Sequence, residues 1–278
     1  MRNTKRLNLF VILAIFAFIS VNAIPFKGKE ISSCYGKIEN DTLYIGNDFL
    51  ERKYIWNDGN LINFSIENKI SNHIFQLKNS KPDNPLNIDG INFSEGSIST
   101  QVIPGNNVIF KHLEITIISN YCDYNLKRVF KVYPNSPAIE SDYYVMKKSA
   151  SSKDFNPLKT YIENFEYSLQ HLKVNATEFY DRTDHYNNLV KEHEIIPYFQ
   201  DRKMKGNTLH IRNLVNSNSF FFIKKAPCSF VQLHYPGYDF LIKNTSLQFS
   251  GLGIADDDMK PGEWIRVYGL VTGVSGPT

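Results

Sequence analysis

Cysteine is scarce in this chain: Cys34, Cys122 and Cys228 are the three among 278 residues. An odd, widely spaced set builds no disulfide framework; at most one bridge can form, with one thiol left over. The spacing fits no zinc pattern, and no histidine stands at ligand spacing from any of the three. An excess of one charge is also missing. Thirty-one Lys and Arg against 28 Asp and Glu give a net +3, and the basic residues are scattered, which argues against a nucleic-acid partner. There is no Gly-x-Ser-x-Gly elbow, no phosphate-binding loop and no His-Glu-x-x-His helix, and no motif asks for a cofactor or a metal. Long apolar runs are absent but for one. Every residue from Leu9 to Ile19 is apolar, a run too short for a bilayer, which needs about 20 residues. Arg2, Lys5 and Arg6 precede it and Val21-Asn22-Ala23 follows. This is the pattern of a secretory signal peptide cut after Ala23. Cys34 lies too far downstream for a lipoprotein cleavage site. The expectation is an exported protein, periplasmic or extracellular, with no membrane span once residues 1–23 are removed.

What the chain has in quantity is aromatic residues, with 20 Phe and 16 Tyr in a composition 42% hydrophobic and 21% charged. Such a chain can build a core and is not disordered, and its aromatics favour pleated, half-buried surfaces. Residues 24–40 read as a leader into the fold and 41–278 as one β domain. Leu43 and Ile45 alternate with polar neighbours; Leu50, Arg52, Tyr54 and Trp56 share a face; Asn57-Asp58-Gly59-Asn60 is a tight hairpin turn. Residues 79–85 read as a loop. Phe110–Ile118, Leu126–Tyr133 and Ile139–Met146 predict an antiparallel meander, and 150–158 is a second loop. Between 161 and 179 two patterns compete. Ile162, Phe165, Leu169 and Leu172 have helical spacing, whereas Leu172, Val174 and Ala176 alternate as a strand does, and extended structure is preferred for 170–179. Further strands are predicted over Leu209–Val215, Phe220–Lys225, Tyr238–Ile242 (Asp239 facing away from its apolar neighbours) and Trp264–Thr272. With many strands and few helical patterns the class is all-β, a mostly antiparallel sandwich.

The densest polar cluster runs from Asp181 through Arg182, Thr183, Asp184, His185, Tyr186 and Asn187 to Asn188. It mixes the donors, acceptors and rings that sugar hydroxyls and pyranose faces require; an Asx-rich turn bonding its own backbone has the same composition. Asp256-Asp257-Asp258 lacks the alternate spacing of a calcium loop and reads as a solvated turn. Glycoside hydrolysis needs two carboxylates roughly 5–10 Å apart, and spacing alone selects no pair. A sugar-isomerising site would need a histidine and a carboxylate converging; His171, His185, His193, His210 and His234 are candidates. Asn40, Asn63, Asn92, Asn175 and Asn244 head Asn-x-Ser/Thr sequons, which matter only in a eukaryotic secretory pathway, while the Asn-, Lys- and Ile-rich composition suits an AT-rich bacterial genome.

Three stretches together resemble a known family: Ile45-Gly46-Asn47-Asp48-Phe49-Leu50-Glu51-Arg52 closed by Trp56–Leu61; Phe179–Val190; and Lys260-Pro261-Gly262-Glu263-Trp264 with Tyr268-Gly269-Leu270-Val271. They are similar to the N-terminal region of melibiase-type α-galactosidases of glycoside hydrolase family thirty-six, particularly those of the Bacteroides group, over roughly residues 40–278. The resemblance implies a galactose-mutarotase-like β-supersandwich packed on a (β/α)₈ barrel that carries both catalytic Asp residues. No barrel motif such as Asp-Asp-Gly-Trp occurs here, and Asp256–Met259 does not replace it. What the resemblance implies is thus a non-catalytic domain supporting a barrel absent from this sequence, with no catalytic residue of its own. Arg182, Asp184, Asn187 and Asn188 would face the barrel or its α-galactoside, on a loop whose flanking Phe179-Tyr180 and Leu189-Val190 are anchored in the core. The alternative is a free-standing exported carbohydrate-binding or interaction module.

Overall fold

A computed structural model describes residues 26–28, 31–89, 93–180, 189–196 and 200–276. Residues 1–23, read from the sequence as a signal peptide, and residues 181–188, with the candidates Arg182, Asp184, Asn187 and Asn188, lie outside the described residues. Six strands form a first sheet in chain order: β1 (Phe26–Lys27), β2 (Tyr35–Glu39), β3 (Thr42–Gly46), β4 (Leu50–Asn57), β5 (Asn60–Asn68) and β6 (His73–Gln76). Segment 24–40, which reads as a leader, thus supplies two strands of this sheet. The β4–β5 turn is the hairpin expected: Asp58 and Gly59 have φ of 49° and 87° between paired Asn57 and Asn60, as a type I′ turn requires. A side chain at Gly59 would also collide with Gly96, whose Cα stands 2.5 Å from the position a Cβ would take.

A meander follows: β7 (Phe93–Ile103), β8 (His112–Tyr121), β9 (Tyr124–Val132) and β10 (Ala138–Lys147). Then come β11 (Tyr161–Glu166), β12 (Leu172–Phe179), β13 (Val190–Ile195), β14 (Arg202–Met204), β15 (Thr208–Asn213), β16 (Ser219–Lys225), β17 (Phe240–Lys243), β18 (Ser246–Ser250) and β19 (Ile265–Ser275). A large sheet of nine has the order β13-β12-β15-β16-β19-β10-β9-β8-β7, and a small sheet of four has β11-β18-β17-β14. β19, last in sequence of the described strands, lies inside the large sheet between β10 and β16. The described helices are two short 3₁₀ turns, Pro157–Lys159 and Asp256–Asp258, and none is long and apolar enough to cross a membrane. The all-β class stands. Its clearest pattern is β9, where buried and half-buried residues alternate from end to end.

The extended reading of 170–179 also holds, with β12 over Leu172–Phe179. Ile162 and Phe165 lie in β11, Leu169 in the connection and Leu172 at the start of β12, all four buried. Their helical spacing arises because each of three pieces puts apolar groups into the same core. The large sheet is a floor shared by the other two. Tyr54 of the first sheet meets Phe130, with ring centroids 5.6 Å apart, and Phe75 meets Phe220 at 4.5 Å. From the small sheet, Phe165 and Phe249 pack on Phe222 at 4.8 and 4.7 Å.

Charge is buried where the sheets meet. Arg52 donates to Glu163 Oε1 at 2.7 Å and Oε2 at 3.3 Å, and to Asn63 Oδ1 at 2.7 Å. Arg128 approaches Glu163 at 3.5 Å and donates to Asp83 at 3.1 Å, and Tyr143 OH donates to Glu163 at 3.2 Å. Burial alone would raise the Glu163 pKa; Arg52 and Arg128 overcome it and hold the carboxyl below its ordinary range. Burial pushes the Asp83 carboxyl up to about 7 despite Arg128, so above that pH two guanidinium groups are balanced by two carboxylates. Asn63 is 2% exposed inside this cluster, so its sequon is no glycan acceptor. A second nest surrounds Asp239, which the strand pattern turns away from Phe240 and Ile242 and which is nonetheless fully buried. It accepts from Lys224 at 2.7 Å, Gln232 at 2.7 Å, Ser229 at 3.0 Å, Tyr235 at 3.1 Å and the Gly206 amide at 2.9 Å. All three cysteines are free thiols, Cys34 buried and Cys122 exposed.

Candidate functional site

β12 and β13 are antiparallel partners at one edge of the large sheet, with Ala176 opposite His193, Glu178 opposite Lys191 and Phe179 opposite Val190. Side chains on a strand alternate between faces. Leu172, Val174 and Ala176 point into the core, so Glu178 continues the same face, and its partners Lys191, His193 and Ile195 share it. At Glu178 this face stops being covered by packed apolar groups and opens into a cleft of about 440 Å³ between the hairpin, β14 and the loop carrying Phe230.

Glu178 is 4% exposed. Its carboxylate accepts from Tyr180 OH at 3.3 Å, and His193 Nε2 stands 3.8 Å from the same oxygen. That separation exceeds a direct hydrogen bond, so the imidazole faces the carboxylate without bonding it. The Tyr180 and Phe230 rings form one wall, centroids 5.7 Å apart and inclined by 31°, with the Lys205 ammonium 5.4 Å from the Phe230 centroid. Lys191, Arg202 and Lys203 complete a cationic rim. Gly206 fixes the position of Lys205. Its φ is +138°, and a Cβ there would stand 2.5 Å from the Thr177 carbonyl, which accepts from the Asn207 amide at 2.9 Å. The chain can pass this close to β12 only at a glycine.

Of the histidines considered, His193 is the one brought to a carboxylate inside a cleft. His210 lies half-buried on the outer face of the large sheet, its pKa lowered by burial and then by Arg212. His234 meets Asp258 at 3.1 Å on an exposed turn, His171 occupies a turn with φ of 60°, and His185 is outside the described residues. Asp256 of the acidic triplet is held by Lys147 and by Tyr124 OH. Tyr180 and Leu189, the described residues on either side of 181–188, are joined at the mouth of the cleft, where the Tyr180 amide donates to the Leu189 carbonyl at 2.9 Å. The expectation that the flanks of 181–188 are anchored in the core needs correction. Phe179, Leu189 and Val190 are 43%, 54% and 46% exposed. The backbone ladder anchors the loop, because Phe179 and Val190 face the outer side of a sheet edge that no second layer covers. Glu178, Lys191, Lys205 and Phe230 escaped the sequence reading; the available signal was the switch from apolar to polar after Ala176 on one strand face.

Chemically, the cleft offers one carboxylate, one imidazole, an aromatic wall and several cations, which suits binding of a polar ring. Its described residues supply a single carboxylate, whereas the common route of glycoside hydrolysis uses two.

No protein-family model matches the chain, and no curated protein matches its sequence. Solved structures do share its fold. An α-galactosidase of glycoside hydrolase family thirty-six from Geobacillus stearothermophilus aligns with a TM-score of 0.55 at 9% identity, over 85% of this chain and 41% of that one. The α-galactosidase from Lactobacillus brevis aligns with a TM-score of 0.53 at 9% identity, over 85% and 39%. A galactose mutarotase related enzyme from Lactobacillus acidophilus aligns at 0.42 and 11% identity, over 85% and 98%. The chain thus spans about two fifths of the length of the α-galactosidases it resembles, and shares with their N-terminal part an antiparallel all-β fold.

Proposed function

We propose that this chain is the non-catalytic N-terminal domain of an exported α-galactosidase-like glycoside hydrolase, Bacteroides-type by its sequence motifs. In this role it supports a catalytic barrel and forms part of the rim of its α-galactoside site. The observation carrying the proposal is the extent of the fold match, which takes in most of this chain and only two fifths of each enzyme. The Tyr180–Phe230 cleft and the hairpin that opens beside it supply a polar, aromatic-walled surface suited to a rim. Arg182, Asp184, Asn187 and Asn188 are the loop residues aimed at substrate or barrel, with Arg182 the brace that holds an Asp through its planar fork.

The test is release of nitrophenol from an activated α-galactoside. The mature chain alone releases none, and fusion to a family barrel restores release. Turnover by the mature chain that disappears in Glu178→Gln would overturn the proposal. A second reading rests on Glu178 and His193, a carboxylate and an imidazole meeting in an open cleft, as a mutarotase-like proton exchange at a sugar's anomeric centre requires. Polarimetry on fresh α-galactose separates the two: accelerated rotation change lost in His193→Gln favours the second reading.

A further inference from the structure

A second hollow lies at the other end of the large sheet and on its opposite face. Glu140 pairs across β19 and β16 with Val271 and Ile223, and the same row continues through Thr208 to Thr177. Glu140 therefore shares the outer face with Thr177, while neighbouring Glu178 points inward. The hollow measures about 670 Å³ and lies between the loop before β8 and the turn after β9.

Its construction is rigid. On one side, Asn106 closes a tight loop, its side-chain oxygen accepting from the Val108 and Ile109 amides at 2.8 and 2.7 Å. The Phe110 carbonyl is held by His112 Nδ1 at 2.8 Å. This ordered loop displays Phe110 at 82% exposure, where burial in the protein's own core cannot be its purpose. On the other side, the fully buried Asn47 side chain donates to the carbonyls of Tyr133 and Ser136 at 2.8 and 2.7 Å. Pro134 stiffens the same turn, and the Tyr133 ring rests on His112 at 4.8 Å. At the base, Glu140 is fixed by Lys131 and Lys225, both acting on Oε1. Among the described residues, its other oxygen, the Lys111 ammonium and the side chains of Asn135 and Ser136 make no hydrogen bond and remain available to a ligand.

We propose that this hollow binds a neutral saccharide, with Phe110 and Tyr133 against the C–H face of a pyranose and Glu140, Lys111 and Asn135 on its hydroxyls. Two flat apolar surfaces with a few fixed polar groups between them match a ligand that is apolar on its faces and hydroxylated at its rim. The lining carries one carboxylate and one ammonium, Glu140 and Lys111, and the Lys131 and Lys225 ammonium groups behind Glu140 are shared with Asp142, so no single charge dominates the walls. The volume lies within the usual range for small-molecule sites, about 300–1,000 Å³, with room for more than one sugar ring. The site is separate from the Tyr180–Phe230 cleft and does not depend on the role assigned to that cleft.

The experiment is saturation-transfer NMR with titration of the full mature chain, using melibiose, maltose and cellobiose as neutral probes and glucuronic acid as the charged one. At least one neutral disaccharide is expected to saturate, more weakly in Phe110→Ala by about tenfold or more and in Glu140→Gln by several-fold. Phe230→Ala, in the other cleft, should leave this binding unchanged. Since Phe110 is exposed, its variant keeps the fold, which circular dichroism verifies. Binding that is equal in Phe110→Ala, that follows Phe230 instead, or that is confined to glucuronic acid overturns the proposal, as does saturation by none of the probes. Self-association of the wild type that vanishes in Phe110→Ala without any sugar binding would assign the patch to a protein partner and also overturn it. None of these outcomes bears on α-galactoside turnover, so this site and the role as an accessory domain stand or fall separately.

Discussion

Glu163 and Glu178 are both buried carboxylates on strands that face the interior, yet their surroundings differ. Glu163 receives two bonds from Arg52, one from Tyr143 and the charge of Arg128. Glu178 has Tyr180 on one side and His193 beyond bonding distance on the other. Saturated with partners, a buried carboxylate fixes how elements meet; left with spare acceptor capacity at the edge of a cleft, it can serve a ligand. The residue type says nothing about which case applies, and counting partners does.

The contrast can be broken by mutation. Glu163→Ala leaves Arg52 and Arg128 short of a counter-charge in the core, and removing one member of a buried pair costs about 3–5 kcal/mol. Urea unfolding should show that loss, or no folded protein at all. Lys224→Met should cost somewhat less, about 3 kcal/mol, since Asp239 keeps four other donors. Should Lys224→Met prove neutral, the Asp239 nest is over-determined and does not resemble the Glu163 cluster.

Asp142 sharpens the comparison from the solvent side. Burial alone would raise its pKa, but hydrogen bonds from Lys131, Lys225 and Arg266 bring it down to about 2. A carboxyl whose folded pKa lies below the unfolded value stabilises the fold above the unfolded value, near 4, and loses that contribution as pH falls toward 2. The gain is about 1 kcal/mol once solvent screening of the half-exposed partners is allowed for. Acid titration of stability should therefore show a steeper drop between pH 4 and 2 in the wild type than in Asp142→Asn. Glu178→Gln should change stability by less than about 1 kcal/mol while altering ligand binding in the cleft. A loss as large as that of Glu163→Ala would remove the distinction between the two carboxylates. The smallest effect belongs to the double change of Asn187 and Asn188 to Ala, within about 0.5 kcal/mol in thermal unfolding, with weakened galactoside cleavage once a barrel is fused.

Legibility followed the alternation of side chains. β8, β9 and β10 could be read because one face is apolar almost without interruption. β7 could not: Ser94, Glu95, Ser97 and Ser99 make a polar edge strand whose place is set by its pairing with β8. β11 was ambiguous because Glu163 interrupts its apolar pattern, and the reason a charge is allowed there, Arg52, lies on another sheet. The burial of Asp239 was illegible for the same reason, its partner Lys224 being brought in by tertiary structure. The cleft is a cross-strand object. Glu178 and His193 become neighbours only once the β12–β13 register is known, so local sequence could point to the adjacent loop and to His193 as one of several histidines, without joining the pair.

The position of β19 sets the order in which the molecule can be completed. β7–β10 is a run of local hairpins, and β12, β13, β15 and β16 form another local group, but their junction is made by β19, which brings Gly273 against both Ala138 and Phe221. A chain released N-terminus first from a ribosome therefore presents β10 and β16 as two bare edges until β19 emerges, and bare edges recruit strands from other molecules. Closure of the sheet is a late, long-range event of the kind that slows β folding. Shaving a few residues from β19 should leave both edges open and make the chain aggregate during its own synthesis.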